Sequence, residues 1–167
     1  DYEKSGIAMK STGVAMTVND CDFSTRNACA LSITEANSAI SDCEFSDCGS
    51  KDYLAGAIYY QSENFGPSIQ KCKFESCTGS KAGALWMFKL KGISDCEFIS
   101  CKSTEIEGVT EIAVYCSNYV QGDPALKECS FRDCSLNIGN SGWQSTLTLV
   151  KNSQFYNSNL YYHSKYS

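Results

Sequence analysis

Ile40-Ser-Asp-Cys43-Glu-Phe45-Ser-Asp-Cys48 is the stretch that decides the fold, because its pattern recurs along the chain. An aliphatic residue stands three positions before a cysteine, a phenylalanine stands two positions after it, and a second cysteine closes the motif. The first copy ends in Arg26, and the sixth has Ser153 and Ser158 in the cysteine positions. This regularity predicts a repeat protein. The six copies begin at Val18, Ile40, Ile69, Ile93, Leu126 and Val150.

A second apolar element follows each copy at a variable distance, at residues 28–31, 55–59, 82–86 and 111–115. In the fifth copy we assign this place to Ser141-Gly142-Trp143, because Trp143 follows Leu126 at the same distance as Trp86 follows Ile69. Both elements are short, and their apolar and polar residues alternate instead of recurring every three to four residues. This pattern indicates strands. Repeats of this kind predict an all-β fold, a single-stranded parallel β-helix of about five coils in one domain, residues 1–167. Leucine-rich repeats, the alternative, would carry a Leu-x-x-Leu-x-Leu signature that this chain lacks.

The alternation within the motif predicts which side chains form the core. Cys43 and Phe45 point inward and Glu44 points outward, since successive side chains of a strand point to opposite faces. The three-residue steps from Ile40 to Cys43 and from Phe45 to Cys48 break that alternation, so we expect a bend within each step. Stacked coils then place equivalent residues in ladders along the axis. The predicted ladders are Phe23, Phe45, Phe74, Phe98, Phe131 and Phe155, then Cys21, Cys43, Cys72, Cys96 and Cys129, and then Cys48, Cys77, Cys101 and Cys134.

Phe-x-x-Cys followed by Ala-Gly-Ala-Ile at residues 55–58, or by Ala-Gly-Ala-Leu at residues 82–85, resembles the repeats of chlamydial polymorphic outer-membrane proteins. Those repeats pair Phe-x-x-Asn with Gly-Gly-Ala-Ile, and similar ones occur in surface proteins of some protists. Here Cys or Ser replaces the Asn, and the double glycine is absent. The resemblance implies a right-handed β-helix, at the cell surface or outside the cell, with a structural or adhesive role. It carries over no catalytic residue, because such repeats encode the coil rather than a site.

The charge balance excludes some classes of partner. The chain has 14 Lys and Arg against 19 Asp and Glu, which gives a net charge of −5. A nucleic-acid surface needs a basic footprint, so we predict no nucleic-acid partner. His163 is the single histidine, which argues against an imidazole-based catalytic centre. No apolar run approaches the roughly 20 residues of a membrane-spanning helix, so we expect no membrane span in this segment.

The eleven cysteines allow three interpretations. Equivalent cysteines on stacked strands lie about 4.8 Å apart, which is compatible with axial disulfides. A zinc site needs four converging thiolates, whereas stacked ladders run along the axis. We favour reduced, buried thiols that fill the core.

Asp20, Asp22, Asp42 and Glu44 lie on adjacent predicted coils and form a candidate metal site. Carboxylates are the oxygen ligands that Ca²⁺ prefers, so a structural Ca²⁺ is the one cofactor that we consider. Pectin-degrading β-helix enzymes combine such acidic clusters with Arg or Lys. The alternative function is therefore a carbohydrate-active enzyme, a pectin-lyase-like polysaccharide lyase or a glycosidase. The third interpretation is a solvated acidic face without a ligand.

Four aromatic residues occupy equivalent places in the second elements and form a predicted aromatic stripe: Tyr59, Trp86, Tyr115 and Trp143. Each follows a buried aliphatic position and is therefore expected to point outward. A stripe of stacked rings suits sugar rings or a protein partner. In the alternative interpretation, loops at residues 59–68 or 116–125 fold back and cover the stripe.

The two ends of the predicted solenoid show no evident cap. Gly6-Ile7-Ala8-Met9 has the character of a second strand, so the first coil begins in its middle. Bare terminal coils present unpaired backbone groups, and we expect either a segment of a longer solenoid or a unit that stacks end to end with other chains or further β-helix coils. Together these features predict a structural or adhesive β-helix without catalysis, which presents loops and the aromatic stripe to protein or glycan partners.

Overall fold

The computed structural model describes residues 6–62, 67–90, 92–105, 111–120, 126–140 and 150–164. The regular secondary structure of these residues consists of strands, most of them two to seven residues long. In chain order the strands are β1 (Gly6–Thr12), β2 (Thr17–Asn19), β3 (Asp22–Phe23), β4 (Ala28–Thr34), β5 (Ala39–Ser41), β6 (Glu44–Ser46), β7 (Gly49–Ser50), β8 (Ile58–Gln61), β9 (Ser68–Gln70), β10 (Lys73–Glu75), β11 (Thr78–Gly79), β12 (Leu85–Leu90), β13 (Ile93–Ser94), β14 (Glu97–Ile99), β15 (Lys102–Ser103), β16 (Ile112–Val120), β17 (Leu126–Lys127), β18 (Ser130–Arg132), β19 (Ser135–Asn140), β20 (Val150–Lys151), β21 (Gln154–Tyr156) and β22 (Leu160–Ser164).

The strands form four parallel sheets that run along one axis. The long sheet has the order β1-β4-β8-β12-β16-β19-β22, and the aliphatic sheet has the order β2-β5-β9-β13-β17-β20. The phenylalanine sheet has the order β3-β6-β10-β14-β18-β21, and the short sheet contains β7, β11 and β15. Neighbours in each sheet are equivalent strands of successive coils. The predicted all-β parallel β-helix of about five coils is therefore confirmed.

Two bends in each repeat separate the aliphatic, phenylalanine and short or long sheets. Asp42 and Asp47, in the two three-residue steps of the motif, have φ angles of 52° and 51°. Positive φ also occurs at the equivalent residues Asp20, Lys71, Asp95, Glu128 and Asn152 of the first bend, and at Ser76, Ser100, Asp133 and Asn157 of the second, but not at Thr25 of the first copy. The expectation of a bend within each step is confirmed. Asp and Asn are frequent here because their side chains tolerate the left-handed conformation better than most.

The core consists of ladders that run the length of the solenoid. Successive phenylalanine rings stack with centroids 4.7–5.0 Å apart and planes within 14° of each other. Phe45, Phe74, Phe98 and Phe131 are completely buried, whereas Phe23 and Phe155 in the end coils are half-buried. Each fully buried ring contributes about 1.5–3 kcal/mol from hydrophobic transfer. The inward residues of the aliphatic sheet form a parallel ladder that starts with Val18.

Tyr60 is the largest completely buried side chain of the long sheet and brings a polar atom into the core. Its hydroxyl donates a hydrogen bond to the carbonyl oxygen of Ala36, so the polar atom is satisfied. Burial, together with the nearby Glu35 carboxylate, raises the pKa of Tyr60 to about 12. The phenol is therefore neutral at physiological pH.

Candidate binding face on the long sheet

One outward-facing position of the long sheet contains the described members of the predicted aromatic stripe. Strand register places Tyr59 next to Trp86, and Trp86 next to Tyr115, on successive coils. The same register continues to polar or aromatic residues on both sides. We call this set the outer column: Ser32, Tyr59, Trp86, Tyr115, Asn137 and Tyr161.

The prediction of Trp143 for the fifth place of the stripe is wrong. Asn137 pairs with Tyr115, so Asn137 and not Trp143 occupies this position. Trp143 lies outside the described residues. The two repeats differ here because β19 begins directly after Cys134, without the loop that precedes β12. The sequence does contain a spacing that indicates Asn137, because Asn137 follows Cys134 at the same distance as Tyr161 follows Ser158.

Trp86 is the centre of a small apolar cluster outside the main core. Its side chain is only 8% exposed and packs with Ala55, Ala82 and Ile112. The ring of Tyr59 stacks on it with a centroid distance of 4.9 Å and an interplanar angle of 15°. Trp86 is therefore covered, and it cannot by itself offer an open ring face to a partner.

Among the described residues, part of the cover of Trp86 comes from segments that precede the strands of the column. Leu54 and Ala55 come before β8, and Ala55 forms a parallel bridge with Ala82, which comes before β12. The loops that we expected to cover the stripe, at residues 59–68 and 116–125, fall partly outside the described residues. Cover of Trp86 by Leu54, Ala55 and Ala82 is thus found, and cover by the two expected loops stays a prediction.

This close loop packing is sterically possible because Gly56 and Gly83 have no side chain. A Cβ on Gly83 would lie 2.5 Å from the carbonyl oxygen of Cys77 and 2.7 Å from the Cβ of Cys101. A Cβ on Gly56 would lie 2.5 Å from the carbonyl oxygen of Gly83. These distances are far below van der Waals contact with rigid backbone atoms. The Ala-Gly-Ala motif is therefore the local feature that lets the loop backbone settle on the coil next to Trp86.

The tyrosines on either side of Trp86 remain partly accessible. Tyr59 and Tyr115 are half-buried and pack against the Trp86 cluster. The Tyr59 hydroxyl donates a hydrogen bond to Oε1 of Gln61 at 2.5 Å, and burial raises the pKa of Tyr59. Such side chains combine an apolar ring with a polar edge, which is the composition typical of binding surfaces.

Asn137 contributes a buried amide to the outer column. Its Oδ1 is the one buried side-chain oxygen that has no hydrogen-bond partner among the residues that the structure describes. Tyr115 and Tyr161 are its neighbours on the adjacent strands. A hydrogen-bond acceptor thus lies between two tyrosines on the same face.

The four carboxylates of the candidate Ca²⁺ site lie close along the chain but do not converge. Asp22 and Glu44 are register partners. Glu44, however, forms an ion pair with Lys73, with Oε1 3.2 Å from Nζ. Within the described ranges, which include all four residues, no group of three or more His, Cys, Asp or Glu side chains is arranged to hold a metal ion. Asp20 and Asp42 occupy the bends, where the chain turns away from the strand positions.

Two of the basic residues that an enzyme active site would need are engaged in ion pairs. Lys73 Nζ also contacts Glu75 Oε2 at 2.6 Å. Arg132 Nη2 lies 3.8 Å from Oε1 of Glu97. Both side chains belong to the outward face of the phenylalanine sheet, where Lys73 lies between its register partners Glu44 and Glu97.

The two cysteine ladders flank the phenylalanine ladder. No disulfide joins any of the eleven cysteines, and all except the half-buried Cys21 are buried. Ladder thiols donate to the carbonyl two residues earlier, as Cys43 does to Ser41 at 3.0 Å. Burial raises the pKa of Cys134 to about 11, and hydrogen bonding to Cys77 followed by burial raises that of Cys48. Cys48 and Cys134 are therefore protonated and poor nucleophiles, and they act as core filling.

No helix among the described residues has the length and apolar character needed to cross a membrane. A family model described as a right handed beta helix region matches residues 2–166. No curated protein matches the chain. No solved structure matches it either.

Proposed function

The chain belongs to the right-handed β-helix family, and we propose that it is a non-catalytic structural module that binds a glycan through the outer column. The observation that carries this proposal is the pair of half-buried tyrosines, Tyr59 and Tyr115, on either side of the buried Trp86. Trp86 fixes the position of the rings, and the tyrosines keep accessible surface for a ligand. Fold alone would not support this function, since one fold serves many functions.

The chemistry of the column fits a carbohydrate better than a purely apolar ligand. Sugar rings have an apolar face that packs on an aromatic ring, and hydroxyl groups that need hydrogen-bond partners. The half-buried rings of Tyr59 and Tyr115 supply the apolar surface, and the Tyr59 hydroxyl with its partner Gln61 supplies a polar edge. A location at the cell surface is part of the proposal and rests on the resemblance of the repeats to those of surface proteins.

A rigid solenoid is a suitable support for such a face. The interior side chains of each repeat are used in the ladders, and the outward charges form ion pairs such as Lys73 with Glu44. The column is thus held by strands of four to nine residues whose neighbours are fixed by register. Little conformational entropy would be lost when a ligand binds to a preorganised surface.

The test is binding to a glycan array and to a panel of purified cell-surface proteins. We expect glycan binding that Tyr59→Ala together with Tyr115→Ala weakens by about tenfold or more, as for anchor residues of interfaces. The matched control is Tyr156→Ala, which removes an exposed tyrosine from the phenylalanine sheet and should leave binding unchanged. Circular dichroism confirms that each variant is folded.

Several results would contradict the proposal. They are an absence of glycan binding, binding that survives the double replacement, or binding to proteins alone. Incubation with polyuronates, with and without Ca²⁺, addresses the enzymatic alternative. Release of shortened or unsaturated products would replace the non-catalytic proposal by that alternative.

A further inference from the structure

The first cysteine ladder, which starts at Cys21, places three thiols in successive coils of the solenoid. Cys72, Cys96 and Cys129 each come directly before one of three neighbouring strands, β10, β14 and β18. The Glu97 N–H donates to the Cys72 carbonyl at 3.0 Å, and the Ser130 N–H donates to the Cys96 carbonyl at 2.9 Å. Paired strands lie about 4.8 Å apart, which is within the Cα separation of about 4.4–6.8 Å that a disulfide spans.

The side chains of these three cysteines also contact one another along the axis. The Cys96 thiol hydrogen-bonds the thiols of both neighbours, so Cys96 is shared between two partners. These hydrogen bonds lower the pKa of Cys72 and of Cys129 by more than burial raises it, and they raise the pKa of Cys96. Cys72 and Cys129 therefore form the reactive thiolate more readily than Cys96, which keeps its proton.

Exposure distinguishes these thiols from the second cysteine ladder, which starts at Cys48. The three residues are each 2% exposed, whereas their counterparts in the second ladder are completely buried: Cys77, Cys101 and Cys134. Hydrogen bonding to Cys101 raises the pKa of Cys77, and burial raises the pKa of Cys134 to about 11. The first ladder thus combines the greater exposure with the more acidic thiols, and we expect a small oxidant to react there first.

We propose that Cys72, Cys96 and Cys129 form a site of reversible oxidation by hydrogen peroxide, at which Cys96 joins Cys129 or Cys72 in a disulfide between successive coils. The Cys129 thiolate first attacks one oxygen of the peroxide, so that an S–O bond forms and the O–O bond breaks. The hydroxide that leaves takes up the proton of the Cys129 thiol and becomes water. The product at Cys129 is a sulfenic acid.

Cys96 then completes the reaction as the resolving thiol. Its sulfur attacks the sulfenic sulfur of Cys129, so that the S–S bond forms and the S–O bond breaks. The second hydroxide leaves with the proton of Cys96 as water. Two thiols have lost two electrons and the peroxide has gained them. The same steps apply when Cys72 is oxidised first, and a small dithiol reverses the reaction by thiol–disulfide exchange.

The shared position of Cys96 limits the reaction to one disulfide in each chain. Whichever neighbour reacts with Cys96, the other remains a thiol. The disulfide links two coils that strand pairing already holds in register, so it adds a covalent connection along the axis without a change of fold.

The experiment treats the whole reduced chain with one equivalent of hydrogen peroxide, blocks the remaining thiols by alkylation and identifies linked peptides by mass spectrometry. Cleavage after Glu97 separates Cys96 from Cys101, and cleavage after Arg132 separates Cys129 from Cys134. We expect a disulfide within one chain that contains Cys96, a loss of two thiols per chain, and recovery of both thiols with a dithiol reductant.

Two matched serine variants test the role of Cys96. Cys96→Ser should lower the yield of disulfides between coils by more than about tenfold, and a diketone probe should then trap the sulfenic acid at Cys129 or Cys72. Cys101→Ser, from the same repeat but from the second ladder, should leave the yield unchanged. Circular dichroism confirms that both variants are folded.

The peptide map of the unchanged chain decides the proposal even if a variant fails to fold. Absence of a disulfide within the chain, links that leave out Cys96, or links confined to the second ladder would overturn the proposal. An equal loss of yield in the two folded variants would do so as well.

Discussion

The rings of Phe74 and Phe98 lie parallel, with their centroids 5.0 Å apart and their planes at 6°. The two residues belong to successive copies of the motif, and their strands β10 and β14 pair in register. The distance between the ring centroids is close to the usual distance of about 4.7–4.9 Å between neighbouring strands. Side-chain stacking and backbone pairing therefore reinforce each other along the same axis.

Loss of one ring from the middle of this ladder should destabilise the whole solenoid. Phe74 is completely buried and stacks on two neighbours, so Phe74→Ala should lower the free energy of unfolding by about 3–5 kcal/mol. Urea unfolding followed by circular dichroism measures this change. Val14→Ala, at a 67% exposed position, is the control and should stay within about 0.5 kcal/mol. Equal effects of the two replacements would show that the ladder is not the main stabiliser.

The Ala-Gly-Ala loops should not accept a side chain at their glycine. Gly83→Ala forces a Cβ to 2.5 Å from the Cys77 carbonyl oxygen, so the loop must move away from the coil. We expect a loss of stability of about 1–3 kcal/mol, typical of overpacking, and a change in the environment of Trp86 seen by fluorescence. Gly6→Ala is the matched control, because nothing lies within 4 Å of a Cβ at that position. A neutral Gly83→Ala would contradict the observed loop packing.

Thiol reactivity should divide the cysteines into two classes. Under reducing preparation and native conditions, a disulfide reagent should label Cys21 quickly, since it is the one half-buried cysteine. The remaining thiols are buried and should react only after unfolding in urea, when the count reaches eleven. Cys21→Ser should remove the fast phase and leave the slow phase intact. A native protein with several fast thiols would contradict the burial of the ladders.

Stability should fall at alkaline pH because of the same thiols. The pKa of Cys134 is raised by burial from 9.0 to about 11, and that of Cys29 is raised to about 12. The folded state therefore holds these protons more tightly than the unfolded state. Their contribution is complete below pH 9 and is lost as the pH rises toward 11–12, by about 1.4 kcal/mol per pH unit for each thiol.

Urea midpoints measured at pH 8, 9 and 10 test this dependence. They should change little between pH 8 and 9 and fall clearly between pH 9 and 10. Cys134→Ala is expected to reduce the slope of the alkaline loss, even though it lowers the starting stability. An unchanged slope in this variant would mean that other groups, such as Tyr60, account for the dependence.

The repeated motif predicts more of the core than of the candidate binding face. Phe45 and Cys43 lie where alternation places them, and Asp42 and Asp47 provide the two expected bends. Within a repeat these features depend on spacings of two or three residues. The place of Asn137 depends instead on whether a loop intervenes between the phenylalanine sheet and the long sheet, and the equal distance that pointed to Trp143 could not reveal this.

Burial of Trp86 shows the same division. Its outward direction follows from its position after Leu85, but its exposure depends on Ala55, Ala82 and Ile112, which reach it from three different coils. The ion pairs likewise depend on the tertiary structure. Lys73 pairs with Glu75 on its own strand as well as with Glu44, and Arg132 pairs with Glu97.

The sequence by itself determined the coil: its strands, its bends and the identity of the residues in the ladders. It could do so because parallel in-register stacking turns a periodicity of the chain into contacts between identical positions. Only the tertiary structure decided which outward residues are covered, which carboxylates remain apart and which residue occupies each place of the outer column. Those properties depend on loops of unequal length, whose paths are set by close backbone packing such as that at Gly83 and not by the repeat.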